Sequence, residues 1–188
     1  DIRMTASDVE RLSRFVKDTG FAPDMVFNAS GNAAAIESAG KDDFADALTA
    51  SGTESNFTWI NHTYTHHYLG CIQVAPASSA SIWHCATPAD TGNYMDTDLA
   101  NVSETTVNGI RWLSQAGIQS EIQKNLVWES THPLTHFDPA ALVTGEHSGL
   151  MAAPQQPIDN PLFGPALTAT GIKYLGSDAS RESSSRTV

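Results

Sequence analysis

The sequence predicts an α/β fold, with parallel strands at the centre and helices packed outside them. Two observations carry that expectation. From the start of the chain, stretches with helical spacing of apolar residues alternate with short β-compatible runs, in the order helix, strand, helix, strand. The stretches Asn28-Ala29-Ser30-Gly31 and Asn61 to Tyr68 follow directly on two of those runs, at the strand ends where parallel sheets gather ligands. At 188 residues, 40% apolar and 16% charged, the chain is globular and long enough for one full core, so a single domain over 1–188 is expected.

Ser7-Asp8-Val9-Glu10 forms a capping box, and Val9, Leu12, Phe15 and Val16 recur at helical spacing until Gly20 stops the helix. Met25-Val26-Phe27 is a buried strand. A second helix spans Asp42 to about Ala50, with Phe44, Ala47 and Leu48 on one face, and leads into the strand Phe57 to Ile60. From Leu69 to Asp98 periodicity fails, which predicts a long loop in which Trp83 and Tyr94 either stack on sugar rings or pack under the loop. From Ser103 a third helix is expected, with Val107, Ile110 and Leu113 three apart and Gly117 as its stop; Gly109 inside it costs about 1 kcal/mol. Ser120 starts another helix, with Leu126 on the Ile122 face. His132, His136 and Asp138 lie on a Pro-punctuated connection, as solvated loop residues or as a further metal site. Ala140 to Thr144 is a strand that delivers Gly145-Glu146-His147-Ser148-Gly149. Asn160 caps a helix with Pro161 at its first position, Gly171 ends it, and Ile172 to Leu175 is the last strand, before a Ser-rich tail from Glu182.

The chemistry concentrates in Asn61-His62-Thr63-Tyr64-Thr65-His66-His67-Tyr68. On a helical turn, His62 and His66 project to one side and can grip one metal ion. Zinc peptidases of the H-E-x-x-H type carry their base as a Glu between the histidines; here Thr63, Tyr64 and Thr65 stand there, which disfavours a peptidase. The stretch resembles the H-[ST]-x-x-H motif of the polysaccharide deacetylases, metal-dependent carbohydrate esterases. Together with Gly145-Glu146-His147-Ser148-Gly149-Leu150 and Gly176-Ser177-Asp178-Ala179-Ser180-Arg181, in that order, it is most similar to the fungal galactosaminogalactan deacetylase group.

That resemblance implies a distorted (β/α) barrel of about seven strands, here incomplete. It also implies a metal-dependent hydrolase, with Zn2+ or another divalent ion, that removes N-acetyl groups from an amino-sugar polysaccharide. His62 and His66 would be metal ligands beside an Asp from an Asp-Asp pair that also supplies the base, and a Leu-x-His would supply the acid. The only Asp-Asp here is Asp42-Asp43, preceded by Ser38-Ala39-Gly40-Lys41 and not by an apolar strand. Its acidic residues suit the first turn of a helix, so the base and acid are expected outside the chain, before Asp1 and after Val188. Gly145 to Gly149 stands in the place of an R-x-P-x-G block without its Arg and Pro. It implies groove roles for Glu146 and His147 and an oxyanion role for the Ser148 amide. Asp178 stands where the Asp of a D-x-x-x-W block should be, with Glu182 at its Trp position; paired with Arg181 it would line or support the substrate groove, the alternative being a plain loop ion pair. Glu121-Ile122-x-x-Asn125 is similar to a run that follows the histidine motif in many members, although a capped helix start accounts for it. The rival from a different class is a glycan-binding or scaffold domain on the same fold.

The formal charge of −11 disfavours nucleic acid and anionic membranes as partners and suits a neutral or cationic glycan. No apolar run reaches the ~18 residues that span a bilayer. Cys71 and Cys85 enclose a short polar loop, as a bridge contributing about 3 kcal/mol on the chain-entropy model or as two buried thiols. The triplets at Asn28, Asn56, Asn61 and Asn101 are potential N-glycan acceptors, where chance supplies about one. They favour the bridge and an exported, extracellular or cell-wall protein. Asn61 is set aside, because a glycan there would obstruct His62.

Overall fold

The computed structural model describes residues 4–29, 43–50, 54–75, 83–90, 103–153 and 155–176. It is an α/β fold with parallel and antiparallel strand pairs and several helices, and it divides into two compact units. The first comprises residues 1–66 and 121–143; the second comprises 67–120 and 144–188.

In the first unit, helix α1 (Ala6–Thr19) has its capping box two residues earlier than expected, at Thr5 to Asp8 in place of Ser7 to Glu10. Thr5 is the N-cap, and Asp8 closes the box: its carboxylate accepts from the Thr5 N–H at 2.9 Å and hydroxyl at 2.7 Å. Gly20, at φ 72°, ends the helix, its N–H donating to the Val16 carbonyl. Strands β1 (Asp24–Phe27) and β2 (Thr58–Asn61) pair in parallel, with helix α2 (Asp43–Thr49) between them in sequence. β1 is less buried than its apolar letters suggest, because only Phe27 is inside and Val26 is exposed. Strand β7 (Phe137–Val143) adds to β2, also in parallel. Its register jumps from Ile60↔Asp138 to Asn61↔Leu142, a bulge that absorbs Pro139, which has no N–H for a ladder. The core joins Val9 and Val16 of α1, Leu48 of α2, and a cluster of Phe27, Phe57, Trp59 and Trp128. Phe27 lies 4.7 Å from Trp128 and 6.4 Å, edge-on, from Trp59.

The second unit departs most from expectation. Residues 103–113 form a hairpin, β5 (Glu104–Val107) and β6 (Ile110–Leu113), where a helix was expected. Val107 pairs with Ile110 across Asn108-Gly109, whose φ values of 52° and 76° give the two-residue left-handed turn that Asn-Gly favours. Arg111 and Glu104 form a 2.8 Å ion pair on it. Helix α3 (Gln115–Thr131) then begins at once and passes through Gly117. A Cβ on Gly117 would come 2.7 Å from Leu113 Cδ1 and 3.0 Å from the Ser103 carbonyl, so glycine is there for close packing and not as a stop. The expected loop from Leu69 contains a short antiparallel pair, β3 (Gln73–Val74) and β4 (His84–Cys85). Cys71 and Cys85 are joined in a disulfide. Trp83 is half-buried; Tyr94 lies outside the described residues.

Asn160 caps the turn that leads into its helix, its Oδ1 accepting from the Leu162 N–H at 3.0 Å. Helix α4 (Phe163–Thr170) starts after Leu162, and Asn160 is buried, its amide donating to the carbonyls of Leu69 at 2.9 Å and Leu113 at 3.0 Å. Gln156, also fully buried, donates to the Ile158 carbonyl and accepts from the Cys71 N–H. Strand β8 (Tyr174–Gly176) ends the described chain. Among the described residues no helix is long and apolar enough to cross a membrane.

Candidate metal centre

The carboxyl ends of β1, β2 and β7 lie side by side because the three strands run parallel, and the chain leaves β2 directly into His62. The His62 N–H extends the ladder by donating to the Phe27 carbonyl at 2.8 Å. Beyond it, residues 62–66 are not a helical turn, as the spacing had suggested. Thr63 (φ 65°) and His66 (φ 66°) are both left-handed, a conformation that β-branched Thr adopts only under constraint. Two left-handed residues fold the loop back, and the rings of His62 and His66 meet with centroids 4.7 Å apart and planes at 74°.

The constraint is a set of buried hydrogen bonds. Asn61, fully buried, donates from its amide to the Ile122 carbonyl and accepts from the Thr63 N–H at 2.9 Å and the Asn125 amide at 2.9 Å. Asn125 also donates to the Phe27 carbonyl and accepts from the Ala29 N–H, both at 2.8 Å. The Asn28 amide donates to the Thr63 carbonyl at 2.9 Å. On the far side of the loop, Glu121 Oε2 accepts from both the Thr65 N–H and its hydroxyl at 2.7 Å, and the Lys124 ammonium lies 5.8 Å from the Tyr64 ring centre. The Thr63 hydroxyl is buried without a hydrogen-bond partner among the described residues.

His62 Nδ1 lies 2.8 Å from the Val143 carbonyl. A carbonyl only accepts, so Nδ1 is the donor and the lone pair is on Nε2, the arrangement by which ligating histidines are oriented in metal sites. Two imidazoles bound to one zinc at about 2.0–2.1 Å put their centroids roughly 4.5–5.2 Å apart for angles between a right angle and the tetrahedral one. The observed separation falls in that range and equally in that of an edge-to-face ring contact, so the pair is compatible with half of a zinc centre. Among the described residues no three His, Cys, Asp or Glu side chains gather closely enough to hold an ion. Asp42 lies outside the described residues, and Asp43 is the first residue of α2.

The other expected residues have settings of their own. Glu146 (φ 54°) and His147 (φ 51°) are exposed on a tight turn after β7. Ser148 is buried: its hydroxyl accepts from the Leu69 N–H and donates to the Gly145 carbonyl, and its own N–H donates to that carbonyl at 3.0 Å. The Ser148 amide thus closes the turn, which takes it from the expected oxyanion role. Gly149 (φ 99°) packs against the Phe163 ring, which a Cβ would strike at 2.7 Å. Asp178 and Arg181 lie outside the described residues, as does Asn101. Asn56 is half-buried, its amide 3.3 Å from the Ser13 hydroxyl. Asn28 is 7% exposed with its amide bonded inside, which leaves no room for a glycan and withdraws it as an acceptor. His132 stacks on Trp128 at 4.1 Å, and Asp138 accepts from the Ala140 N–H, so neither supplies a further metal site. The residues that hold this loop from α3, Glu121 and Asn125, are those of the Glu-Ile-x-x-Asn run, which in the sequence a capped helix start suffices to explain.

No family model, curated protein or solved structure matches this chain.

Proposed function

We propose that the protein is an exported, metal-dependent hydrolase that removes N-acetyl groups from an amino-sugar polysaccharide, built on a scaffold of the distorted (β/α) barrel type. The observation that supports it is the approach of the His62 and His66 rings to 4.7 Å at the end of a parallel strand, with His62 Nδ1 held on the Val143 carbonyl. His62 and His66 would hold the ion, and an Asp outside the described residues would complete its protein ligands. Zn2+, when bound, lowers the pKa of a water and polarises the amide carbonyl. This chain's own work is orientation: the Val143 carbonyl fixes the His62 tautomer, and α3 holds the loop that carries both rings. The disulfide suits an oxidising compartment. The net charge of −11 suits a neutral or partly deacetylated, cationic polymer over a phosphate-rich partner.

The test is acetate release from N-acetylgalactosamine and N-acetylglucosamine polymers by the full-length protein, before and after chelation and zinc restoration. Activity should follow bound zinc, and His62→Ala or His66→Ala should lower both zinc content and rate by at least about 100-fold. Polymer binding without acetate release, at full zinc occupancy or with none, would make this a glycan-binding module instead.

A further inference from the structure

We infer that Glu121 is a positioning residue for the histidine pair, setting the backbone at Thr65 so that His66 arrives beside His62. The inference rests on the metal-site assignment above but has a readout that does not need a metal. Glu121 is 6% exposed, unusual for a carboxylate, and its Oε2 takes both hydrogens that Thr65 can offer, at 2.7 Å each. Those are the short distances of charge-assisted bonds. The next residue is His66, held at φ 66°. Left-handed backbone at a residue with a side chain persists only where surroundings over-determine it, and here the residue before it is fastened to a helix.

The fastening has two ends on one turn of α3. Asn125 and the Ile122 carbonyl hold Asn61, at the loop's entry, while Glu121 holds Thr65, at its exit. Between these anchors the chain makes both left-handed turns and brings the rings together. The entry anchor is shared with β1, since Asn125 also bonds Phe27 and Ala29. Removing it would disturb the sheet as well as the loop. The side-chain hydrogen bonds of the exit anchor, among the described residues, go to the loop, so altering Glu121 leaves the hydrogen bonds of the sheet in place.

The experiment compares wild type, Glu121→Gln and Thr65→Val in the full-length protein. Two quantities are read: ring-to-ring proton contacts between His62 and His66 by NMR without metal, and zinc affinity by calorimetry. Glu121→Gln keeps shape but loses charge; Thr65→Val keeps the backbone N–H but loses the hydroxyl. Each should weaken the ring contacts and lower zinc affinity by about tenfold, the cost typical of outer groups that orient a metal ligand. Glu121→Asp, which keeps the charge, should restore part of the affinity. If both variants only lower the unfolding temperature and leave ring contacts and zinc affinity unchanged, Glu121 is merely structural and the inference is overturned. If wild type binds no zinc, the metal assignment fails while the ring contacts still decide whether Glu121 positions the pair.

Discussion

The loop after β2 and the turn after β7 begin alike and are held differently. Each follows a parallel strand, bends through left-handed backbone at residues other than glycine, and places a histidine there, His66 at φ 66° and His147 at φ 51°. In the first, side chains 56 to 64 positions away in sequence hold the bend, and two rings are brought together. In the second, Thr144 and Ser148 close the turn locally, and a single long-range bond, from the Leu69 N–H to the Ser148 hydroxyl, ties it to the rest. Long-range fastening of strained backbone costs buried polar groups that must all be satisfied. A fold retains that cost where the geometry of the strained residue matters, which singles out the first loop.

The largest effect that would separate the two is the loss of the central polar side chain in each. Asn125→Ala would strand the Ala29 N–H and take one of two donors from both the Phe27 carbonyl and Asn61 Oδ1, and should destabilise by about 3 kcal/mol, with loss of the His62–His66 contact. Ser148→Ala strands the Leu69 N–H and should destabilise by about 1–2 kcal/mol, with the histidine contact unchanged. Denaturant unfolding and ring-proton NMR on the two variants measure this. Equal losses of stability, or loss of the contact in both, would break the distinction.

A smaller effect sharpens it. His147→Gly removes the penalty of left-handed backbone at an exposed position and should stabilise by about 1 kcal/mol, leaving zinc affinity as it was. A fall in zinc affinity would instead tie the turn after β7 to the metal centre.

The two regions also differ in how far they could be read from sequence. α1 with its Gly20 stop, α2, and the strands that become β1 and β2 follow from local periodicity. The order of these elements carries the α/β class and the position of His62 at a strand end. The hairpin β5–β6 was lost because Val107, Ile110 and Leu113 sit three apart, a spacing that fits a helix as well. Gly109 counts as a helix cost when read alone, whereas the pair Asn108-Gly109 marks a two-residue turn. Gly117 was taken for a stop although close contact with Leu113 and Ser103 is what requires it. The proximity of His62 and His66 was anticipated for the wrong reason: the rings meet through two left-handed residues, imposed by Glu121 and Asn125 from a helix distant in sequence. The one trace of that in the sequence is the Glu121-Ile122-x-x-Asn125 run, which a capped helix start explains as well. Nor does local spacing show that Asn160, besides accepting from the Leu162 N–H, is buried with three carbonyls in reach of its amide nitrogen.

The smallest effect compares one carboxylate in each unit. The Thr5 hydroxyl and N–H, both donating to Asp8, hold its carboxyl below the usual carboxylate range, and the Thr87 N–H and hydroxyl do the same for Asp90. A pKa depressed in the folded state means that the unfolded chain binds the proton more readily. The stabilisation is therefore fully present above the unfolded value of about 3.9 and is lost as pH falls through the lower folded value. Carboxyl NMR titration should give midpoints below the usual range for both. The consequences should differ, because protonating Asp8 releases the first turn of a 14-residue helix, whereas protonating Asp90 opens only the bend at 87–90. Acid should thus reduce the helical signal in wild type, with Asp8→Asn starting from a lower value and changing less. A midpoint for Asp8 at the ordinary value would mean that the box does not hold in solution, and that α1 is anchored by Val9 and Val16 alone.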